Sequence, residues 1–130
     1  MKATGSVLLD TSVVVAHLRR DPDLTAYLVE VPVYLPWVVL GELHYGLERA
    51  RRRDEALAQI LDFLQIADLL LPDKDTSEQY GRLKAELAET GTLIPDNDIW
   101  IAALARQYAL PLATRDKHFS VVPGLKTLAW

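Results

Sequence analysis

No cysteine occurs among the 130 residues of this chain. This absence excludes a disulfide framework and any metal site built from thiolates, and it is typical of proteins that work in a reducing cytosol. Long apolar runs are absent as well, and the apolar stretch near the N-terminus is too brief for a signal peptide or a membrane span. We therefore expect a cytoplasmic protein with no membrane anchor.

Positive charge is also scarce. The chain has 14 Lys and Arg residues against 18 Asp and Glu residues, and its formal net charge of -4 argues against a surface that binds nucleic acid all over. Much of the positive charge lies in one run, Arg49-Ala50-Arg51-Arg52-Arg53. Such a run is usually a solvated helix end, but a phosphate-binding function would need it, so both interpretations stay open.

The length of the chain fits one domain, which we place at residues 1–130, and the composition is ordinary for a globular protein. Apolar segments predict strands near residues 7–9, 33–35, 67–71, 110–114 and 125–128. Helical periodicity predicts helices at 13–18, 23–29, 37–50, 54–64, 76–89 and 96–107. This alternation predicts an α/β fold: a three-layer α/β/α sandwich around a central, mostly parallel sheet.

The fourth helix is expected to carry Leu57, Ile60, Leu61 and Leu64 on one face, which is open to core packing or to a homodimer contact. The fifth is expected to be capped by Thr76 or Ser77 and to stop at Gly91.

Asp10 directly follows the first predicted strand, and Thr11 and Ser12 come after it. Ligands of open α/β sheets bind at the carboxyl edge of the strands, so Asp10 is a candidate site residue. The alternative is that Asp10 only caps the helix that starts near Ser12 or Val13, as aspartate commonly does. The stretch alone does not separate the two.

Glu42 and Asp116 stand at places of the same kind. Glu42 falls within the apolar face of its predicted helix, where a carboxylate needs a cation, a hydrogen-bond donor or a metal. Asp116 follows the apolar strand at 110–114 after a hydroxyl residue, which repeats the pattern at Asp10. Both carboxylates are therefore candidates for the same edge of the sheet.

Asp98 begins a helix together with Asp96 and Asn97. The seven residues from Ile99 to Ala105 contain no polar side chain, so we expect this helix to be buried nearly all round. One acid at such an N-terminus is ordinary, since it caps free amides and favours the helix dipole. Two acids and an amide exceed what a cap needs, and this excess indicates a site.

Four carboxylates, those of Asp10, Glu42, Asp98 and Asp116, are expected to converge at the carboxyl edge of the sheet. In a low-dielectric cleft they would repel one another strongly unless cations neutralised them. An all-oxygen site suits Mg²⁺ or Mn²⁺. These ions generally serve phosphodiester hydrolysis, where they generate the attacking hydroxide and stabilise charge on the leaving oxygen.

Four segments follow one another in a defined order: Leu8-Leu9-Asp10-Thr11-Ser12, Glu42-Leu43 with Gly46, Asn97-Asp98 with Ile101-Ala102-Ala103-Leu104-Ala105, and Thr114-Arg115-Asp116 with Phe119. Their order and spacing resemble the PIN-domain ribonucleases, and within them the VapC-type toxins of bacterial toxin–antitoxin pairs. The resemblance covers essentially the whole chain.

The resemblance implies an endoribonuclease that hydrolyses RNA phosphodiester bonds with Mg²⁺ or Mn²⁺, held by the four acids Asp10, Glu42, Asp98 and Asp116. Ser12 and Thr114 would orient those acids or a bound water, and Asp96, which has no firm counterpart, is taken as a cap or an acid behind the metal ligands. The implied partners are an RNA substrate and a cognate antitoxin protein, and the implied assembly is a homodimer or a toxin–antitoxin hetero-oligomer.

Several other residues are open to more than one interpretation. Candidate RNA-binding residues are Arg49, Arg51, Arg52, Arg53, Arg115 and Lys117. Aromatic residues at 37, 45, 100 and 130 are able to stack on bases, although core or interface packing is expected of Trp100. The histidines at 17, 44 and 118 show no ligand spacing, so we expect them at the surface or at an edge.

Two alternatives to a nuclease remain. The first is a catalytically silent PIN-like module that binds RNA or protein, which the intact set of four acids disfavours. The second is an aspartate-based phosphatase or phosphoacceptor domain, since these also place an aspartate after the first strand. Against it, Asp10 has no second aspartate two residues on, and no strand-end lysine is evident apart from Lys117.

Overall fold

The computed structural model describes residues 5–130, with residues 23 and 24 described by their backbone alone. Five strands form one sheet in the order β3-β2-β1-β4-β5, and all four pairings of neighbouring strands are parallel. The strands are β1 (Val7–Leu9), β2 (Val33–Pro36), β3 (Ala67–Leu70), β4 (Leu112–Ala113) and β5 (Thr127–Leu128). The predicted parallel α/β fold is confirmed.

In residues 5–130, six α-helices and one 3₁₀ helix connect the strands. The helices are α1 (Thr11–Leu18), α2 (Pro22–Leu28), α3 (Trp37–Glu48), α4 (Arg53–Phe63), α5 (Lys74–Glu89) and α6 (Asp96–Gln107), and the 3₁₀ helix spans Lys117–Val121. From β1 to β3 the chain moves one way across the sheet, and from β3 it returns past β1 to β4. Because such crossovers are right-handed, α1 to α4 and α5 to α6 cover opposite faces, which makes the sandwich three-layered.

The core is built on β1, whose three residues are completely buried. A parallel sheet covered on both faces needs such continuously apolar strands. Helix α6 is buried nearly all round, as predicted, through Ile99 and every residue from Ile101 to Ala105. Within the part of the chain that the structure describes, no helix combines the length and apolarity needed to cross a membrane.

The direction of the sheet order reverses between β1 and β4. These strands are neighbours, with Leu9 paired to Ala113, so the residues that follow them leave the sheet side by side. A reversal of this kind opens a crevice at the carboxyl ends of the strands, where α/β proteins bind their ligands. The residues after Leu9 and Ala113 are Asp10 and Thr114.

Helix α4 uses most of its apolar face inside the core. Ile60 and Phe63 are buried, and Leu57 and Leu64 pack against the core, whereas Leu61 is exposed. The expectation that Leu61 shares one face with the other three is therefore wrong. Because core packing covers most of this face, the apolar residues of α4 do not by themselves indicate a homodimer interface.

The start of α5 differs from the sequence prediction, which named Thr76 or Ser77 as its cap. Asp73 is the cap, because its carboxylate accepts the N–H of Thr76 at 3.0 Å while the Asp73 N–H donates to the Thr76 hydroxyl at 2.9 Å. This reciprocal pair is a capping box, in which Thr76 occupies the third helical position. Thr76 is fully buried, and its hydroxyl also donates to Gln107 of α6.

The end of α5 lies at Gly91, as predicted. The N–H of Thr92 donates to the carbonyl of Leu87 at 2.9 Å, and the N–H of Gly91 donates to that of Ala88 at 3.2 Å. These two bonds form a Schellman motif, which requires a left-handed residue, and Gly91 has φ +66°. Glycine is needed at this position because of the left-handed backbone conformation and not for lack of space, since a Cβ atom added to Gly91 would have no other atom within 4 Å.

Two glycines of α5 therefore predict stability changes of opposite sign. Gly91→Ala should destabilise the protein by about 1 kcal/mol, because alanine is strained in the left-handed region. Gly81→Ala, in the exposed helix interior with open space around it, should stabilise the protein by about 0.5–1 kcal/mol. Chemical denaturation of both variants measures the effect, and two changes of the same sign would contradict this account.

Candidate active site

Asp10 is buried at the switch point, with 3% of its surface exposed. One carboxylate oxygen accepts hydrogen bonds from the Ser12 hydroxyl at 2.6 Å and from the N–H of Val13 at 3.1 Å. The other accepts the hydroxyl of Thr114, which follows β4. Asp10 is therefore the N-cap of α1 and a member of the carboxyl edge at the same time, so both interpretations of the sequence apply.

Burial raises the pKa of Asp10 above its usual range, because a charged carboxylate loses its hydration there. The hydrogen bonds from Ser12, Thr114 and Val13 oppose the shift, and the negative charge of Asp116 adds to it. The three donors hold the carboxylate in one orientation. These hydrogen bonds offset only part of the free energy that burial of the charged carboxylate costs, so a further positively charged group is needed to stabilise it.

Glu42 reaches the same region from the second turn of α3. The side chain is half-buried, and burial raises its pKa, to which the charges of Asp98 and Asp10 add. The nearby Thr11 hydroxyl opposes this rise of the Glu42 pKa. Its Oγ1 atom is buried and has no partner with full hydrogen-bond geometry among the described residues.

Asp98 and Asp116 both lie close to His118, which is exposed as expected of a histidine at the surface or at an edge but belongs to the same cluster. The Nδ1 of His118 lies 3.1 Å from an oxygen of Asp98 and 3.4 Å from an oxygen of Asp116. Burial raises the pKa of Asp98, His118 counteracts this, and the charges of Asp116 and Asp10 reinforce it. The structure thus brings all four predicted acids close enough to interact.

The residues present fit a divalent cation. Within residues 5–22 and 25–130, no Lys or Arg side chain forms an ion pair with any of the four acids, so apart from His118 these residues do not neutralise the repulsion among the acids. One ligand atom from each of Asp98, Asp116 and His118 lies within 4.8 Å of the others. Carboxylate oxygens crowded in this way are the donors that hard divalent ions prefer.

Comparison with known proteins agrees with this geometry. The family model for the PIN domain matches residues 7–125. The chain belongs to the PIN-domain family. Ribonuclease VapC5 of Mycobacterium tuberculosis is 35% identical over 119 residues, which cover 90% of this chain and 87% of VapC5.

Solved structures also match this PIN domain. One is VapBC2 from Rickettsia felis, bound to a DNA fragment from the VapBC2 promoter. It matches with a TM-score of 0.88 at 25% identity, and the match covers 96% of this chain and 98% of the matched chain. VapBC-5 from Mycobacterium tuberculosis, a member of the VapBC family of toxin-antitoxin systems, matches with a TM-score of 0.77 at 32% identity and the same two coverages. The resemblance stated from the sequence motifs is confirmed.

Asp96 lies outside the cluster of this PIN domain. Its carboxylate accepts hydrogen bonds from Lys84 at 3.0 Å and from the Tyr80 hydroxyl at 2.9 Å, and these lower its pKa. The expectation that it caps α6 is wrong, because Pro95 is the N-cap residue and no side chain makes a capping bond there. Asp96 instead joins α6 to α5, with 63% of its side chain exposed.

The three tryptophans of the PIN domain are packed. Trp100 stacks on Tyr80 with ring centres 4.0 Å apart, and it forms a T-shaped pair with Trp37 with ring centres 5.7 Å apart. Trp130 is buried in the core, as an aromatic partner of Tyr27. Packing, rather than base stacking, therefore accounts for all three.

Tyr45 differs from the tryptophans, since 65% of it is exposed. It lies three residues after Glu42 on α3, and both residues line a shallow pocket with Asn97. The guanidinium of Arg49 lies 5.3 Å from the centre of the Tyr45 ring. Residues three and four apart share a helix face, so this face leads from the acid cluster to the arginine run.

The arginine run links α3 to α4. Arg53 pairs with Glu48 at 2.8 Å and Arg52 with Glu55 at 3.5 Å, and all four side chains are largely exposed. Exposed pairs of this kind contribute little free energy, so both arginines are available to a phosphate. Arg51 is exposed as well.

Two basic residues flank Asp116. Arg115 pairs with Asp21 at 2.9 Å and donates to the backbone carbonyl of Trp130, while its own N–H donates to Ser12. Its side chain therefore ties the C-terminal end of the chain to the loop before α2. Lys117 is exposed at the start of the 3₁₀ helix.

Asp98→Asn should make the metal-free protein more stable at neutral pH, by on the order of 1 kcal/mol, which corresponds to about 3 °C in Tm. The folded state raises the pKa of Asp98, so its charge costs stability only above that pKa. Below the ordinary aspartate range the carboxyl is neutral in both states, and the gain should disappear. Thermal melts in EDTA at about pH 7 and about pH 3 measure both effects.

Asp96→Asn is the matched control in the same helical turn. The folded state lowers the pKa of Asp96, so this variant should lose a little stability at neutral pH rather than gain it. Equal destabilisation by both substitutions would show that the four acids do not repel one another in the folded state.

Proposed function

We propose that this PIN domain is a divalent-metal-dependent endoribonuclease, the toxin component of a VapBC-type toxin–antitoxin system. The observation that carries the proposal is the convergence of four carboxylates at the switch point of the sheet, where the described residues supply no Lys or Arg ion pair and His118 is the basic neighbour. A site that crowds unneutralised acids is costly for folding, and cation-assisted phosphodiester chemistry explains why that cost is retained.

We propose that Asp10, Glu42, Asp98 and Asp116 hold Mg²⁺ or Mn²⁺. When bound, the ion supplies an activated water and neutralises charge at the phosphate. The chain contributes an arrangement that exists before substrate arrives, since Ser12, Val13 and Thr114 fix both oxygens of Asp10.

The loop after β4 is fixed to the same carboxylate. The Thr114 hydroxyl accepts the N–H of Asp116 at 2.9 Å and donates to Asp10, while the Ser12 hydroxyl accepts the N–H of Arg115 at 3.0 Å. One hydroxyl on each side therefore joins Asp10 to the backbone that carries Asp116. Ser12 and Thr114 are proposed as positioning residues for the two acids.

The RNA strand is proposed to follow α3 away from the acids. Tyr45 offers an exposed ring for an unpaired base, and Arg49 and the arginines that follow it offer positive charge for phosphates. Lys117, which is exposed and follows Asp116 in sequence, is proposed to contact the phosphate from the other side. Arg115 has its guanidinium engaged by Asp21, so we assign it a structural part first.

The phosphatase or phosphoacceptor alternative is disfavoured by the state of Asp10. Its carboxyl is buried, and both oxygens already accept hydrogen bonds, so it is poorly placed as a nucleophile for a phosphodonor. The silent-module alternative has no use for neighbouring acids whose charges help to raise the pKa values of Asp10, Glu42 and Asp98. A cleavage assay distinguishes it from the proposed nuclease.

A protein partner and a location complete the proposal. The matching structures from Rickettsia felis and Mycobacterium tuberculosis are of VapBC proteins. We propose that a cognate antitoxin likewise binds this chain. The groove between α1, α2 and α4, with exposed Val29 and Ile66 along it, offers an apolar surface for such a partner. We propose a cytoplasmic location, where cellular RNA is found and a cysteine-free chain is common.

Asp98→Asn should reduce RNA cleavage by at least roughly 100-fold, because it removes a metal ligand and leaves the fold intact. The assay uses purified, antitoxin-free protein and a pool of structured RNAs with Mg²⁺, Mn²⁺ or EDTA. Asp96→Asn is the matched control and should cost little, since Asp96 bonds to Lys84 outside the cluster. Equal loss in both variants, or cleavage by the wild type that persists in EDTA, would refute the proposed site.

Replacing Arg51, Arg52 and Arg53 together by alanine should weaken RNA binding and flatten its salt dependence. Loss of three phosphate contacts on single-stranded RNA lowers the slope of log K against log salt by about 2. Binding is measured in EDTA, so that no cleavage occurs. Lys126→Ala is the control, because Lys126 is exposed just before β5 at the opposite edge of the sheet. An unchanged slope in the triple variant would show that the arginine run is a solvated surface that does not bind RNA.

A further inference from the structure

His118 lies against the acid cluster at the start of the 3₁₀ helix. Its Nδ1 is 3.1 Å from an oxygen of Asp98 and 3.4 Å from an oxygen of Asp116. Two ligands at right angles on an octahedral ion, each about 2.1 Å away, lie about 3 Å apart. The Nδ1 of His118 therefore has the spacing of a neighbouring ligand from each of the two carboxylate oxygens, and the three ligand atoms lie within 4.8 Å of one another.

The backbone that carries His118 is fixed on both sides. The carboxylate of Asp116 accepts the His118 N–H at 2.9 Å and so caps the 3₁₀ helix. Phe119, the next residue, is buried in the core, and the Ser120 hydroxyl donates to the carbonyl of Lys117 at 2.8 Å. The imidazole thus stands on an anchored turn beside the acids, although 54% of its side chain is exposed to solvent.

We propose that His118 supplies a nitrogen ligand to the divalent ion of this site, and that the mixed nitrogen and oxygen donor set selects Mn²⁺ over Mg²⁺. The inference rests on the proposed metal-dependent function and adds the identity of the ion. Mg²⁺ binds oxygen almost exclusively, whereas imidazole is a common ligand of first-row transition ions. The all-oxygen site expected from the sequence is thereby extended by one softer donor.

A competing explanation is that His118 only donates a hydrogen bond to Asp98 or Asp116. In that case the imidazole stays outside the coordination shell, and the ion bound by the acids has only oxygen ligands. A spectroscopic readout of the ligand atoms separates these cases without measuring activity.

The test is pulsed electron paramagnetic resonance of the full chain loaded with Mn²⁺, in which a directly bound imidazole gives a ¹⁴N coupling. His118→Asn removes the ring but keeps a short polar group beside the acids. His44→Asn, on an exposed part of α3, is the control for histidine content. We expect the coupling in the wild type and in His44→Asn, and its loss in His118→Asn.

Metal affinity measured by calorimetry completes the test. In His118→Asn the Kd for Mn²⁺ should rise by about tenfold or more, and the Kd for Mg²⁺ should change much less. No coupling in the wild type, a coupling that persists in His118→Asn, equal losses of both ions, or no binding of Mn²⁺ would each overturn the inference. Failure of the nuclease proposal has a different signature, which is nitrogen-coordinated Mn²⁺ in a protein that cuts no RNA.

Discussion

The hydrogen bonds that hold the Asp10 carboxylate are the contacts on which the site depends. They join two parts of the chain that are remote in sequence, the segment from the end of β1 to the start of α1 and the loop after β4. Because β1 and β4 are neighbours at the reversal of the sheet order, Thr114 reaches Asp10 across 104 residues of sequence. The same side chain caps a helix and serves as the innermost acid, so folding of this edge and assembly of the site are one event.

The surroundings of an acidic residue in this protein determine whether its pKa is raised or lowered. Asp96 and Asp98 are two residues apart on α6, yet Lys84 and Tyr80 lower the pKa of Asp96 while burial raises that of Asp98. Acids elsewhere on the surface, such as Glu86 with Arg106, also have basic partners. In the cluster, no Lys or Arg of the described residues pairs with the acids, and His118 is their basic neighbour, which is the expected cost of a site that awaits a cation.

Helix α3 connects this chemistry to a binding surface. Its inner face packs Val39, Leu43 and Leu47 into the core, and the face next to it carries Glu42, Tyr45 and Arg49 outwards from the acids. A single helix thereby positions one acid, one exposed ring and one guanidinium at fixed spacing. The arginine run follows at its end, with pairs to Glu48 and Glu55 that are exposed enough to exchange for phosphates.

The sequence by itself determined the parallel α/β fold and the edge at which Asp10, Glu42, Asp98 and Asp116 meet, because apolar strands followed by acids are local patterns. Short-range patterns also identified Gly91 as the end of α5. Tertiary structure decided what depends on neighbours far along the chain. Lys84 draws Asp96 away from the cluster, Asp73 rather than Thr76 caps α5, and the turn anchored by Phe119 brings His118 to Asp98. Spacing in sequence carries no information on such contacts, since they join elements that meet only when the sheet and its covering helices have formed.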